Sequence, residues 1–364
     1  MRFPEFTDEW KKEQLGDIAD FSKGAGISKE QLSEKGEPCI LYGELYTKYK
    51  SEVIYDIISK TDIDSTKSVR SQANDVIIPS SGETAEDIAT ARCVLKNNIL
   101  LGGDLNIIRL HKHSGSFMSY QLNGKRKYDI AKVAQGVSVV HLYAEHLKGV
   151  NTYNPCMEEQ EKIARLLALL DERIATQNKI IDKLQSLIKG IAQNVAHNNK
   201  PNISLSECLE CSSSTLQESD VCENGTYPVY GANGIVGYLD NYNTEKEAVY
   251  IIKDGSGVGA VSYVTGKCSA TGTLNTLQAK EGHSLQYLYY ILKVFNFEPY
   301  KTGMAIPHIY FKDYGKAKIF CPPYQEQLRY AKMLSAIDDK LLAEQNILTN
   351  LSLLKQYLLR QMFI

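Results

Sequence analysis

The chain has 364 residues, with 41 Lys and Arg against 43 Asp and Glu, for a net charge of −2. That length has room for two domains plus connecting elements, and the charge balance excludes a uniformly basic nucleic-acid coat while leaving room for local basic surfaces. There is no run of 18 apolar residues and no apolar signal segment in residues 1–11, so the sequence predicts a cytoplasmic protein with no membrane contact.

In chain order, residues 10–154 mix short β-type runs with turns: Cys39-Ile-Leu-Tyr42, Val76-Ile-Ile78, Ile99-Leu-Leu101 and Asn106-Ile-Ile-Arg109. Basic residues gather in this half at Lys48, Lys50, Arg70, Arg92 and Lys125-Arg126-Lys127. Such clusters serve either as a solvated face or as phosphate contacts. After Pro155, apolar residues recur at alternating spacings of four and three: Ile163, Leu167, Leu170, Ile174, then Gln177, Ile181, Leu184, Ile188, Ile191 and Val195. This 3.5-residue period predicts a helix of about 33 residues, roughly 50 Å long, with one seam facing a partner helix.

Residues 203–322 return to short strands and are dense in glycine: Gly231, Gly234, Gly237, Gly255, Gly257 and Gly259. Glycines at this density mark tight turns and bulges. After Pro323 the seam frame reappears at Tyr330, Leu334, Ile337, Leu341, Glu344, Leu348, Leu351, Lys355, Leu358 and Met362. Residues 136–195 and 303–362 in fact match without a gap at an offset of 167. His141 and Tyr143 fall on His308 and Tyr310, Glu159 and Gln160 on Glu326 and Gln327, Asp171 on Asp338, and Gln177 on Glu344. A repeat this long means one structural unit used twice. More weakly, Gly103-Asp-Leu-Asn106 resembles Gly272-Thr-Leu-Asn275, and Gly82 matches Gly255. The expected fold is α+β: two similar mixed α/β domains joined by two long antiparallel coiled-coil helices. The expected segments are 1–155, 156–199, 200–322 and 323–364.

Enzymatic signals are weak. Cys321-Pro-Pro-Tyr324 is like the loop of amino-methyltransferases, but cysteine is a poor acceptor for a target amino group and no glycine-rich cofactor loop precedes it. Gly255-Ser-Gly-Val-Gly259 lacks the lysine of a phosphate-binding loop. Cys208 and Cys211 form a C-x-x-C, but a zinc knuckle needs a second ligand pair at matched spacing, so no metal is expected. A self-contained methyltransferase and a coiled-coil protein scaffold are the competing readings.

With these residues in hand the chain resembles the specificity subunit of type I restriction–modification systems. The features that carry the resemblance are the opening Trp10-Lys-Lys-Glu-Gln-Leu-Gly-Asp-Ile18, Tyr227-Pro-Val-Tyr-Gly-Ala-Asn-Gly-Ile-Val-Gly-Tyr238, the two Gly-x-(Ser/Ala)-(Val/Ile)-x-His-(Leu/Ile)-Tyr approaches and the two Pro-x-x-x-Glu-Gln helices. The resemblance implies a non-catalytic reader of double-stranded DNA in which each domain is a target recognition domain for one half of a split sequence. It also implies two docked copies of a methyltransferase subunit that bind S-adenosylmethionine, and a restriction/translocase subunit. No cofactor is expected on this chain itself. Residue type and loop placement make Tyr42, Lys48, Arg70, Ser80, Ser81, Thr84, Arg92, Lys125 and Arg126 the candidate DNA contacts of the first domain, and Tyr230, Asn233, Lys253, Ser256, Thr273 and Lys301 those of the second. Glu159, Gln160, Asp171, Glu326, Gln327 and Asp338 are candidates for subunit docking or for simple solvation.

Overall fold

A computed structural model describes residues 2–63, 66, 68–136, 139–303 and 305–363. Val137, Ser138 and Met304, part of the two repeated approaches, lie outside the described residues. The chain divides into two compact units, Met1–Asn178 with Ile347–Ile364, and Lys179–Asn346. Each unit therefore takes part of both long helices.

In the first unit a five-stranded sheet runs in the order Ala19–Lys23, Leu105–Leu110, Asp75–Pro79, Arg92–Val94, Val53–Ile54. Its central strands are continuous apolar runs because both faces are covered. Val76, Ile78 and Ile108 enter one apolar cluster, whereas Ile77 and Ile107 enter the other, as the period of two requires. A second sheet has the order Leu32–Ser33, Ser59–Thr61, Glu37–Ile40, Leu100–Leu101, Val69–Arg70.

The second unit repeats this plan with fewer strands. Its main sheet runs Leu209–Ser213, Leu274–Ala279, Glu247–Ile252, Val261–Thr265, and its smaller sheet runs Gly234–Leu239, Tyr227–Gly231, Ser269–Ala270. Val249, Ile251 and Leu277 fill one cluster, and Ala248 and Tyr250 the other. Both smaller sheets keep the same parallel pair, Glu37–Ile40 with Leu100–Leu101 and Tyr227–Gly231 with Ser269–Ala270. A nine-residue helix lies in each unit, Gly115–Asn123 and Leu285–Lys293. Each is capped by a serine, Ser114 or Ser284, whose hydroxyl accepts the N–H three residues on.

The long helices span Met157–His197 and Tyr324–Gln361, 41 and 38 residues. At 1.5 Å per residue they measure about 60 and 57 Å, longer than the seam alone predicts. In the first unit Ile163, Ala164 and Leu167, early in the first helix, share a cluster with Leu358, Met362 and Phe363 at the end of the chain. In the second unit Ile188 and Ala192, late in the first helix, share a cluster with Leu334, against which Ile337 and Leu341 pack. Start meets end in each unit, so the helices pack antiparallel. The two polar seam residues are buried, Gln177 in the first unit and Glu344 in the second, where Glu344 pairs with Lys340 at 2.5 Å.

Candidate nucleic-acid interface

The shared Glu-Gln at the start of each long helix builds a joint inside its own unit. Gln160 accepts from the Ser114 N–H at 3.0 Å and donates to the Pro155 carbonyl at 2.9 Å. Gln327 does the same with Ser284 and Pro322, both at 2.8 Å. Each glutamine thereby satisfies a cap N–H and clamps the helix start onto the nine-residue helix of its unit. About three turns further along each helix, the Tyr120 hydroxyl donates to Asp171 at 2.8 Å and the Tyr290 hydroxyl to Asp338 at 2.6 Å. Burial and the facing carboxylate push both phenols well above their usual range. Glu159 is fully buried and takes a two-pronged ion pair from Arg2, both contacts 2.7 Å.

These contacts correct part of the docking set. Glu159, Gln160, Asp171 and Gln327 are buried and engaged within the chain, so they are neither a solvated face nor a surface for another subunit. Glu326 is half-buried, and Asp338 is half-buried against Tyr290.

The repeated histidines also sit in matching frames. In the first unit the Gln135 N–H donates to the His141 carbonyl at 2.9 Å, and the His141 N–H donates to the Gln135 carbonyl at 2.7 Å. In the second unit Thr302 and His308 make the same reciprocal pair at 2.9 and 2.7 Å. Gly136 and Gly303 open the two loops with φ of +130° and +86°. A side chain there would strike a carbonyl across the loop, 2.0 Å from Val139 O or 2.4 Å from Ile306 O. Val139 and Ile306, at equivalent places, are 53% and 59% exposed, and Tyr143 and Tyr310 beside them are exposed too. The flanking strand matches as well: Ser81 pairs with His141 and Asp254 with His308. In the second unit His308 Nδ1 also lies 2.6 Å from the Asp254 carboxylate. Gly82 faces Val140, and the Gly255 N–H donates to the Pro307 carbonyl, so the alignment of these two glycines holds.

Several candidate readers collect around these loops. Ser80 is buried and so is corrected from reader to frame: its carbonyl accepts from the Leu142 N–H at 3.0 Å, and half-buried Ser81 lies next to it on the strand facing His141. In the second unit the Lys253 N–H donates to Thr273 O at 3.0 Å, and Lys253 O accepts from the Ile309 N–H at 2.9 Å. The Thr273 hydroxyl lies 2.8 Å from that of Thr271, and Ser256 is exposed on the adjoining turn. Tyr42 and Lys48 stand apart from these, lining a cleft of about 990 Å³ with Gly26, Ser28 and Asp104. Lys48 pairs with Glu44 at 2.6 Å, Arg70 with Glu37 at 2.7 Å, Arg126 with Asp129 at 3.0 Å and Lys301 with Glu298 at 2.5 Å. The Arg70–Glu37 and Lys301–Glu298 pairs are open and contribute little, so these two cations can exchange a carboxylate for a phosphate at small cost, whereas Lys48 is held by buried Glu44 and Arg126 is largely buried over the Tyr153 ring. Lys125 and Asn233 are exposed, Asn233 in the turn of a hairpin; Thr84 caps the helix Ala85–Ile88, and Tyr230 is half-buried beside Tyr250.

Arg92 is a correction. It is 7% exposed, and its guanidinium donates to the carbonyls of Leu45, Tyr49 and Ala91 at 3.0–3.2 Å. It ties the segment around residues 45–49 to the sheet, which leaves its guanidinium engaged within the chain. The Cys321-Pro-Pro-Tyr324 loop is also turned inward: Cys321 is buried, with its backbone held by Asn202. Cys211 does not pair with Cys208; its sulfur contacts the Ser212 carbonyl, while Cys208 meets Cys321 and His283. Val139, Ile306, Tyr143 and Tyr310, all exposed, fall outside the candidates, because residue type and loop placement favour polar side chains. The constant offset that pairs them was the available signal.

A family model described as the type I restriction modification DNA specificity domain matches residues 7–186 and 202–352. The chain belongs to this family. This specificity subunit is similar to several relatives. It is 24% identical over 271 residues to a provisionally named type I specificity subunit of Mycoplasma genitalium, covering 68% of this chain and 70% of that one. A provisionally named type I restriction enzyme specificity subunit of Haemophilus influenzae is 29% identical over 123 residues, 33% of this chain and 32% of the relative. The EcoprrI specificity subunit of Escherichia coli is 26% identical over 116 residues, 32% of this chain and 29% of the relative. The specificity subunit thus spans about a third of the Haemophilus and Escherichia relatives it matches. Among solved structures, its fold matches the S subunit of a type I restriction–modification system from M. genitalium, with a TM-score of 0.71 at 20% identity over 100% of this chain and 97% of that one. A chain from a type I restriction–modification assembly matches with a TM-score of 0.56 at 16% identity, covering 98% and 97%. The expected fold class is therefore correct: two family domains on long, mutually packed helices.

Proposed function

We propose that this specificity subunit is the non-catalytic reader of a type I restriction–modification complex, each unit reading one half of a bipartite double-stranded DNA target. The observation that carries this reading is the pair of matched histidine loops, alike in backbone and flanked by different side chains. Two equal frames with unequal surfaces suit two different half-sites of one kind of ligand. Val139 and Ile306, with Tyr143 and Tyr310, join Ser81, Lys253 and Thr273 as contacts. Exposed apolar and aromatic side chains at a loop tip can press against bases or enter a groove.

The long helices set the interval between half-sites and dock two copies of the methyltransferase subunit, whose bound S-adenosylmethionine supplies the methyl group. Exposed apolar residues recur at equivalent places along the two helices: Met157 and Tyr324, Leu166 and Met333, Leu187 and Leu354. Two equivalent sets of apolar positions fit two copies of one partner. A restriction/translocase subunit completes the complex, which works in the cytoplasm.

The test is a genome-wide map of N6-methyladenine in cells expressing this chain with its methyltransferase subunit. A split motif with a fixed gap, absent when this chain is omitted, is the expected result. A continuous motif, or methylation that persists without the chain, would overturn the reading.

A further inference from the structure

Cys208, His283 and Cys321 come from three separate stretches of the second unit, and their ligand atoms all lie within 4.8 Å of one another. Cys208 closes the short helix Leu205–Cys208. His283 immediately precedes the cap serine of the helix Leu285–Lys293. Cys321 stands just before the prolines that open the second long helix. Both thiols are buried, and the half-buried His283 opens the cluster on one side.

The backbones that carry these groups are fixed from outside the cluster. The Asn202 side-chain amide donates to the Cys321 carbonyl and accepts from the Cys321 N–H, each at 2.8 Å. The Lys280 N–H donates to the Cys208 carbonyl at 2.9 Å. The N–H of Ser284, next to His283, donates to Gln327 at 2.8 Å. Donor groups held in place by such outer contacts are pre-organised for an ion.

In the first unit the same place is held together by side-chain hydrogen bonds within the chain. There the corresponding positions are Ile18, at the end of its short helix, His113, before its cap serine, and Asn154. His113 lies 3.0 Å from the Gln160 side chain and 3.6 Å from Glu13, and Asn154 donates to Glu13 at 3.0 Å. The histidine is common to both units. In the second, its neighbours become two thiols, which are poor hydrogen-bonding groups and strong ligands for soft metals.

We propose that Cys208, His283 and Cys321 bind one zinc-class divalent ion. Two thiolates and an imidazole select zinc, or cobalt in its place, over magnesium and calcium. A tetrahedral ion with Zn–S of about 2.3 Å and Zn–N of about 2.0–2.1 Å separates such ligand atoms by roughly 3.3–3.8 Å, inside the observed envelope. Binding releases the two thiol protons to solvent, and the two thiolates balance the charge of the ion in its buried place. Water completes the coordination on the open His283 side. The ion ties the entry of the second long helix to the short helix Leu205–Cys208.

The test uses the full-length chain without a histidine tag, reduced and freed of metal, titrated with Co²⁺. The expected result is a sulfur-to-cobalt charge-transfer band that saturates at one equivalent and is displaced by one equivalent of Zn²⁺. Cys211→Ser keeps the band. The double variant Cys208→Ile with Cys321→Asn, which installs the first unit's residues, loses it. His283→Ala, at a half-buried position, weakens Co²⁺ binding by about tenfold or more. No band in the folded wild-type chain overturns the proposal, whatever the variants do. So does a band that survives in the folded double variant, or a Cys208–Cys321 disulfide in the isolated chain that yields no metal uptake after reduction.

Discussion

At the residue scale, burial decides which polar groups are free to act. Arg92 was attractive as a base reader because arginine makes two-pronged contacts with guanine. Nothing in the sequence shows that it lies on a central strand whose neighbours leave carbonyls to be satisfied. Arg92→Met should cost the first unit about 1–3 kcal/mol, read by urea denaturation, because it strands the carbonyls of Leu45 and Tyr49. The methylated motif should stay the same; a changed half-site would return Arg92 to the readers. His113 gives a pH prediction. Burial is the main cause that lowers its pKa from 6.5, outweighing nearby Glu13. A folded-state value below the unfolded one means that the unfolded chain binds the extra proton first. The stability held by neutral His113 is therefore complete above pH 6.5 and declines as the pH falls through 6.5 toward the lowered folded value. His113→Gln should flatten this slope in thermal melts between about pH 7 and 5; an unchanged slope would show that His113 does not set it.

At the element scale, the long helices were the most legible part of the chain, since a sustained 3.5-residue period has few other physical meanings. Their outer faces were not. Glu-Gln after the helix-opening proline reads as a polar surface, yet Gln160 and Gln327 are the pins of a buried joint. The sheets were legible as strands and only faintly as a repeat. Loop insertions and deletions shift the correspondence along the chain, so that Asn106 matches Asn275 and Ser114 matches Ser284 at offsets other than that of the helices. Docking belongs to this scale as well. Leu166→Glu together with Met333→Glu should leave far-ultraviolet circular dichroism unchanged, because both side chains are exposed. The same pair should abolish co-purification of the methyltransferase subunit. Full retention of that subunit would move docking to another surface.

At the scale of the whole molecule, the chain leaves the first unit within one long helix and re-enters it within the other. If these helices set the interval between half-sites, removing residues 178–184 together with 345–351 takes one heptad from each. The gap in the methylated motif should then shrink by about two to three base pairs. An unchanged gap would refute the measuring role. The ion pairs mark the same return path: Lys355 contacts Glu52 and Asp171, both at 2.5 Å, and all three groups are largely buried. Its counterpart in the first helix is Ile188, packed in an apolar cluster of the second unit. The closing end of the second helix thus carries a charge for which the first unit alone supplies the matching pair. Lys355→Met should leave Glu52 and Asp171 without their cation and destabilise the first unit by about 3–5 kcal/mol. Limited proteolysis should then cut within residues 1–150 and spare residues 200–320; equal sensitivity of both would contradict the assignment.

The return of the chain also fixes a timetable. A ribosome delivers every residue of the second unit before it releases Lys355, Leu358, Met362 and Phe363. The domain made first is therefore completed after the second, and until Phe363 emerges its Trp10 and Phe117 lack the ring that packs against both. While the second unit is being made, the nascent first unit carries an open apolar seat, the interval in which a chaperone or a second nascent chain would find it.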